Sequence, residues 1–333
     1  MPSRFNFMLF AISLILFGFG AGLFIEHFLI SKEIEIGTTQ VRNRGSFKFI
    51  NPLYECEIGG QDLLKKYVPF EEKIKEKIAD EIETRENIDV SVYFRNLNNG
   101  PWFGIKENEN FAPASLLKVP LMIAYFKKSE SDPNILGLLF KFRKQEENNL
   151  TAMQQIIPAV NLMEGESYSV EELIRRMIVY SDNEAMALLF NNLSKDDIYK
   201  IYGDLGINNP YGTNETDSLS VKDYASFYRI LYNAAYLDKE HSEKALALLT
   251  ETEFRDGLAG GVPNNVKVAH KFGERELSEG EFKNQFHDCG IVYYEKYPYL
   301  LCVMTRGENK NNLIEAIKDI SKIVFEEVSR SYP

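Results

Sequence analysis

The stretch Ala114-Ser115-Leu116-Leu117-Lys118-Val119-Pro120 constrains this chain more than any other. The apolar run behind it, Leu121 to Phe126, carries a helix into a core and leaves Ser115 at the helix N-terminus. Residues three apart on a helix are neighbours, so the hydroxyl of Ser115 and the amine of Lys118 can share a proton. A serine attacks poorly until an adjacent base takes that proton, and a lysine whose charge is disfavoured by burial or by a second cation is such a base. The helix macrodipole favours the negative charge that then develops. Taken alone, the same spacing also describes a serine N-cap followed by a solvated lysine. The helix is predicted from Ser115 to about Lys128. Pro120 is tolerated near its first turn, and Asp132-Pro133-Asn134 breaks it.

Two later stretches decide between these readings. Ser181-Asp182-Asn183 falls between two helical patterns, and Lys271-Phe272-Gly273 falls in the alternating run Val266 to Gly273, which puts Lys271 and Gly273 on one strand face and His270 on the other. The ordered set of SxxK, SDN and KxG resembles the penicillin-recognising serine enzymes, and within them the class A β-lactamases. The resemblance runs from about Gln61 to the C-terminus. It includes the helix entry from Phe111 to Pro120 and the strand Val268-Ala269-His270-Lys271.

The resemblance implies an α+β fold: an antiparallel sheet built from both ends of the chain, flanked by helices, with a helical subdomain inserted between the Ser115 helix and the Lys271 strand. It implies that Ser115 attacks a cyclic amide or peptide carbonyl, Lys118 takes the proton with Ser181 relaying, and Asn183 hydrogen-bonds substrate while Asp182 is structural. Lys271 would attract the substrate carboxylate and Gly273 would let substrate lie against the strand edge. The backbone N–H groups of Ser115 and Glu274 would form the oxyanion hole. The implied partner is a β-lactam or a peptidoglycan peptide, with antibiotic resistance as the consequence in the first case, and no metal or organic cofactor is needed.

Two departures qualify it. In class A β-lactamases a loop carries a Glu-x-x-Leu-Asn pattern whose glutamate activates the deacylating water. The corresponding loop here, Leu205 to Leu219, lacks that pattern and offers Glu215, with Asp217 as a second carboxylate. Phe272 stands where the family has a hydroxyl that helps to grip the substrate carboxylate. Three readings follow: a β-lactamase, a D-Ala-D-Ala peptidase that deacylates penicillin slowly, and a membrane-anchored wall-binding protein without catalysis.

The remaining chain sets the context. From Phe5 to Ile25 only Asn6 and Ser13 interrupt an apolar run, which at about 1.5 Å per helical residue is long enough to cross a bilayer. Arg4 precedes it and Glu26, Glu33 and Glu35 follow, so the N-terminus is expected in the cytoplasm and the rest outside. An uncleaved single-pass anchor is the preferred reading and a cleaved signal peptide its rival. The organisation predicted is an anchor over 1–30, a linker over 31–60 and a hydrolase domain over 61–333. A net charge of −11 offers no basic track for nucleic acid, and four histidines without HExxH spacing exclude a zinc hydrolase of that type. Of the three cysteines, Cys289 and Cys302 fall on neighbouring predicted strands. They are placed to meet in one intrachain disulfide, but in apolar surroundings the favoured reading of both is as small hydrophobes.

Overall fold

The computed structural model describes residues 38–58, 68–83, 85, 87–98, 102–144, 156–158, 160–212, 218–276, 284–295 and 297–331. The anchor expected over 1–30 lies outside them; among the described residues no helix is long and apolar enough to cross a membrane.

The expected linker is the first correction. Thr38–Arg42 (β1) and Leu53–Ile58 (β2) pair antiparallel, and the turn between them is docked on the body. Phe49 and Ile50 are buried in the main core. The Glu243 carboxylate accepts the backbone N–H groups of Lys48, Phe49 and Ile50 at 2.7, 2.8 and 2.9 Å. Asn51 N–H donates to the Tyr232 carbonyl at 2.8 Å. Buried amide groups need partners, and one carboxylate far along the chain supplies three; no linker composition encodes that.

Val68–Glu83 forms helix α1, with Ile74 and Ile78 inward. Ile88–Asn96 (β3) and Trp102–Ile105 (β4) pair antiparallel, with Phe94 opposite Phe103. The two-residue strand Asn110–Phe111 (β5) leads into Lys118–Ser129 (α2). In the inserted subdomain, Leu139–Lys141 (β6) pairs antiparallel with Ser167–Ser169 (β7). Helices Val170–Val179 (α3), Asn183–Asn191 (α4) and Lys195–Leu205 (α5) follow. Ser169 caps α3 by accepting Glu172 N–H at 3.2 Å, and Gly206, at φ +66°, ends α5 in the left-handed region that glycine tolerates.

Leu219–Ser220 (β8) pairs with β5, and Val221–Tyr232 (α6) and Lys239–Leu249 (α7) complete the helical layer. The chain ends with Lys267–Glu276 (β9), Asn284–Tyr293 (β10), Tyr299–Gly307 (β11) and Lys310–Ser331 (α8). The main sheet is antiparallel in the order β4-β3-β11-β10-β9, so both ends of the chain build it, as expected. On one face α1 and α8 pack over Val92, Phe94, Phe286 and Val303, with Lys73 and Lys77 both bonded to Glu327 at 2.5 and 2.9 Å. On the other face α2 and the helical layer pack over Tyr93, Ala269, Ile291 and Met304. Coverage on both faces explains why Ser91 and Tyr93 are buried despite the alternating sequence.

Cys289 and Cys302 sit directly opposite each other on β10 and β11 and form a disulfide, which corrects the reading of both as free. Strand register, invisible in composition, brings them together.

Candidate active site

Ser115 does not cap a helix. It lies in a 3-10 turn, Ala114–Leu117, that precedes α2, and Ala114 enters that turn at φ +48°. In a 3-10 turn residues i and i+3 eclipse, which brings Lys118 beneath Ser115. Lys118 Nζ lies 2.9 Å from Ser115 Oγ. Tyr224 braces the turn by donating its hydroxyl to the Leu116 carbonyl at 3.0 Å.

Lys118 is fully buried, and its ammonium also faces Ser181 Oγ at 3.0 Å, the Ser181 carbonyl at 2.6 Å and Asn183 Oδ1 at 2.6 Å. Burial drives its amine well below the ordinary lysine range, the positive charge of Lys271 pushes the same way, and Asp182 and Glu274 pull back. A neutral amine at this position can accept the Ser115 proton along the 2.9 Å contact.

Ser181 has φ +55°, a left-handed conformation that costs a residue with a side chain about 1–2 kcal/mol. That twist sets its hydroxyl between two lysines, 3.0 Å from Lys118 Nζ and 2.9 Å from Lys271 Nζ. The next residue, Asp182, caps α4 by accepting the N–H groups of Glu184 and Ala185 at 2.8 and 3.1 Å.

Lys271 is also fully buried. Burial lowers its amine to about 7, with Asp288 and Glu274 opposing the shift. Its Nζ donates to the Phe272 carbonyl at 2.9 Å and lies 4.0 Å from the centre of the Phe272 ring. The ring in turn packs on Phe254 at 4.5 Å and Phe286 at 6.0 Å. Where a hydroxyl was expected, the chain places an aromatic face against the ammonium. Gly273 has a reason that the sequence did not reveal. A Cβ there would stand 3.2 Å from Leu116 N, Leu116 Cγ and the Pro113 carbonyl, so the glycine lets β9 approach the Ser115 turn. The Glu274 carboxylate accepts Ile156 N–H at 2.7 Å and Lys310 Nζ at 3.3 Å, which ties Ile156 and the start of α8 to β9.

The fold therefore gathers Ser115, Lys118, Ser181, Asn183 and Lys271, with Phe272, Gly273 and Glu274 alongside on β9. Glu215 and Asp217 lie outside the described residues. Sequence reasoning did not find the strained backbone of Ser181 and Ala114; no residue type marks it. It also missed a Ser–His–Asp chain at the far end of α2. There Ser129 Oγ lies 2.8 Å from His241 Nε2, and His241 Nδ1 lies 2.8 Å from Asp238 Oδ2. Ser129 is buried, and its hydroxyl is donated to the Phe126 carbonyl at 2.8 Å, so this chain fastens the end of the helix.

A buried serine–lysine pair at the junction of a helical layer and an antiparallel sheet, with a second serine between two lysines, defines a serine hydrolase of the acyl-transfer kind. The Beta-lactamase enzyme family model matches residues 72–328, and the chain belongs to that family. No curated protein matches it. Among solved structures it is similar to PBP-A, with a TM-score of 0.64 at 21% identity over 78% of this chain and 96% of that one. A class A β-lactamase from Bacteroides cellulosilyticus DSM 14838 gives a TM-score of 0.67 at 18% identity, over 78% of this chain and 99% of that one. A β-lactamase from Chitinophaga pinensis DSM 2588 gives 0.65 at 20% identity, over 77% and 99%. At these identities the likeness is one of fold.

Proposed function

We propose that the chain is acylated at Ser115 by β-lactams and hydrolyses them outside the cytoplasmic membrane, held there by an N-terminal anchor over 1–30. The observation that carries the reading is the 2.9 Å contact between Ser115 Oγ and a fully buried Lys118 amine held well below its ordinary range. In this reading Lys118 takes the Ser115 proton as Oγ attacks the carbonyl. The backbone N–H groups of Ser115 and Glu274 receive the developing oxyanion, where each such donor is worth roughly 3 kcal/mol. Ser181, between both lysines, carries the proton on to the departing nitrogen. Asn183 orients the amide of the substrate and Lys271 holds its carboxylate. Glu215 is the proposed base for deacylating water.

A second reading, a D-Ala-D-Ala peptidase that penicillin blocks, draws on a specific observation. Among the described residues no carboxylate hydrogen-bonds to Ser115 or Lys118, and a deacylating water needs a base. The similar PBP-A has a variant solved as an acyl-enzyme complex with penicillin G. The two readings separate in one experiment. The full chain in detergent is treated with a fluorescent penicillin and followed by mass spectrometry, with Ser115→Ala as control. A Ser115-dependent adduct that clears as hydrolysed penicillin accumulates supports the β-lactamase. A persistent adduct supports the peptidase. No adduct on folded protein removes both and leaves the non-catalytic wall-binding role.

A further inference from the structure

Trp102 is the single tryptophan of the chain, and it stands exposed on β4, the edge strand of the main sheet. Its ring stacks on Tyr93 at 5.5 Å, and Lys222 Nζ lies 5.2 Å from its centre. Arg95 is directly opposite Trp102 in the register of β3 and β4, and its guanidinium donates to the Tyr93 hydroxyl at 3.4 Å. Arg229 lies two turns after Lys222 on the same side of α6, which packs against β3. Burial lowers the Arg229 guanidinium first, the charge of Arg95 lowers it further, and Tyr93 opposes both. A cation in the last turn of a helix suits the macrodipole, which explains Arg229 alone and not a second guanidinium brought against it. Among the described residues no carboxylate pairs with Lys222, Arg95 or Arg229. Nearby, Asp223 accepts the Ser220 hydroxyl at 2.9 Å, and Glu107 lies against Gly104 and accepts Asn108 Nδ2 at 3.4 Å. In a chain of net charge −11, three cations around one exposed aromatic ring make a local surface for an anion.

Two features of the chain's path point to the anion. The sheet order β4-β3-β11-β10-β9 puts this surface at the edge opposite Lys271, four strand spacings or about 19 Å away, so it is no part of the Ser115 cleft. The N-terminal segment joins the body on the same side. Arg42, at the end of β1, donates to Asn233 Oδ1 at 2.8 Å, and Asn233 is one turn beyond Arg229. Only residues 26–37 separate β1 from the apolar run Phe5 to Ile25. A bilayer that holds that run therefore lies within a short tether of the Arg229 end of α6. Tryptophan at the headgroup level and arginine or lysine on lipid phosphates are the side chains that suit such an interface.

We propose that this face docks on anionic phospholipid headgroups, with Lys222, Arg95 and Arg229 taking lipid phosphates and Trp102 entering the headgroup layer, which turns the Ser115 cleft away from the bilayer. This rests on the reading of residues 1–30 as an anchor. The full chain is reconstituted into phosphatidylcholine vesicles with and without about one third phosphatidylglycerol, and the emission of Trp102 is followed with plain and with brominated, quenching lipid. Because the chain has one tryptophan, the signal reports this face alone. In anionic vesicles the emission is expected to move to shorter wavelength, with quenching at least about threefold stronger than in neutral vesicles, and about 0.5 M salt should remove the difference. Arg95→Gln and Arg229→Gln should each weaken docking about fivefold. Lys222→Gln, at an exposed position, should do the same and keeps the test decisive if an arginine variant fails to fold. Equal quenching in the two vesicles, a difference that survives high salt or all three substitutions, or a spectral shift caused by inorganic phosphate without any dependence on vesicle charge overturns the proposal. Failure of the anchor reading shows separately, as full-length protein that does not float with neutral vesicles in a density gradient. Flotation with the anionic vesicles alone then still supports docking, and flotation with neither overturns it.

Discussion

His270 and Lys271 are consecutive on β9, and both are buried, yet the fold treats them in opposite ways. His270 turns to the face covered by α1 and α8. There its Nδ1 lies 2.8 Å from Asp288 Oδ1, and Asp288 Oδ2 accepts Leu258 N–H at 2.9 Å. Lys271 turns to the other face, where its hydrogen bonds go to a hydroxyl and a carbonyl, and the carboxylates of Asp288 and Glu274 only partly offset its burial through their charge. A buried group whose partners are complete is architecture. A buried charge left without a bonded counter-charge titrates easily, and that is how an enzyme obtains a base near neutral pH.

The sharpest break of this contrast comes from the reactive face. Ser115→Ala is expected to abolish the penicillin adduct, a loss of roughly 10^4-fold or more in acylation rate, with an unchanged thermal midpoint. Mass spectrometry beside a melting curve checks both. A residual adduct on another serine would mean that the nucleophile has been misassigned. Lys118→Met comes next. It removes the base and should slow acylation by about 10^2- to 10^4-fold. Stability should hold or rise, because replacing a buried charge with an apolar chain of similar length relieves its desolvation. A fall of more than about 2 kcal/mol in denaturant unfolding would show that Lys118 is structurally compensated after all.

On the opposite face the outcome inverts. Asp288→Ala strips His270 of its partner, leaves Leu258 N–H unsatisfied, and should cost about 3–5 kcal/mol in urea unfolding. Acylation per folded molecule should stay within about threefold, since Asp288 touches neither Ser115 nor Lys118 and acts on Lys271 only through its charge. A variant that is stable but inactive would mean that both faces of β9 belong to the reactive machinery.

The sequence made part of this contrast legible. Alternation along Val266 to Gly273 separated His270 from Lys271, because a strand has a fixed period of two. The spacing of Ser115 and Lys118 predicted their contact, and the 3-10 turn delivers it more directly than the α-helix expected there. What stayed hidden depends on approach between distant segments. The left-handed backbone of Ser181 follows from what surrounds it, and the need for Gly273 follows from the turn that passes against it. The Cys289–Cys302 bond follows from register. The docking of Phe49 and Ile50 follows from a carboxylate nearly two hundred residues away. Local pattern cannot specify any of these.

The subtlest effect is expected in the pH dependence. Lys271 falls to about 7 in the folded chain from an ordinary 10.5. Its proposed grip on a substrate carboxylate needs the charged form, so kcat/KM should fall by up to about tenfold per pH unit above 7. Lys118 acts as base in its neutral form, so the acidic limb should rise as it deprotonates, and the product is a bell. Both lysines bond the Ser181 hydroxyl, so the limbs report the pair and not either residue alone. Lys271→Arg keeps its charge at every accessible pH and should remove the alkaline limb, whatever its absolute rate. Stability moves in the opposite sense. Between about 7 and 10.5 the unfolded chain holds the Lys271 proton and the folded chain has released it, so folding stability should increase with pH across that window. Below about 7 the lysine is charged in both states and its burial penalty is constant. A rate profile that falls over the same window in which the unfolding free energy rises identifies one buried amine as the source of both. Parallel declines would place the alkaline limb in general unfolding instead.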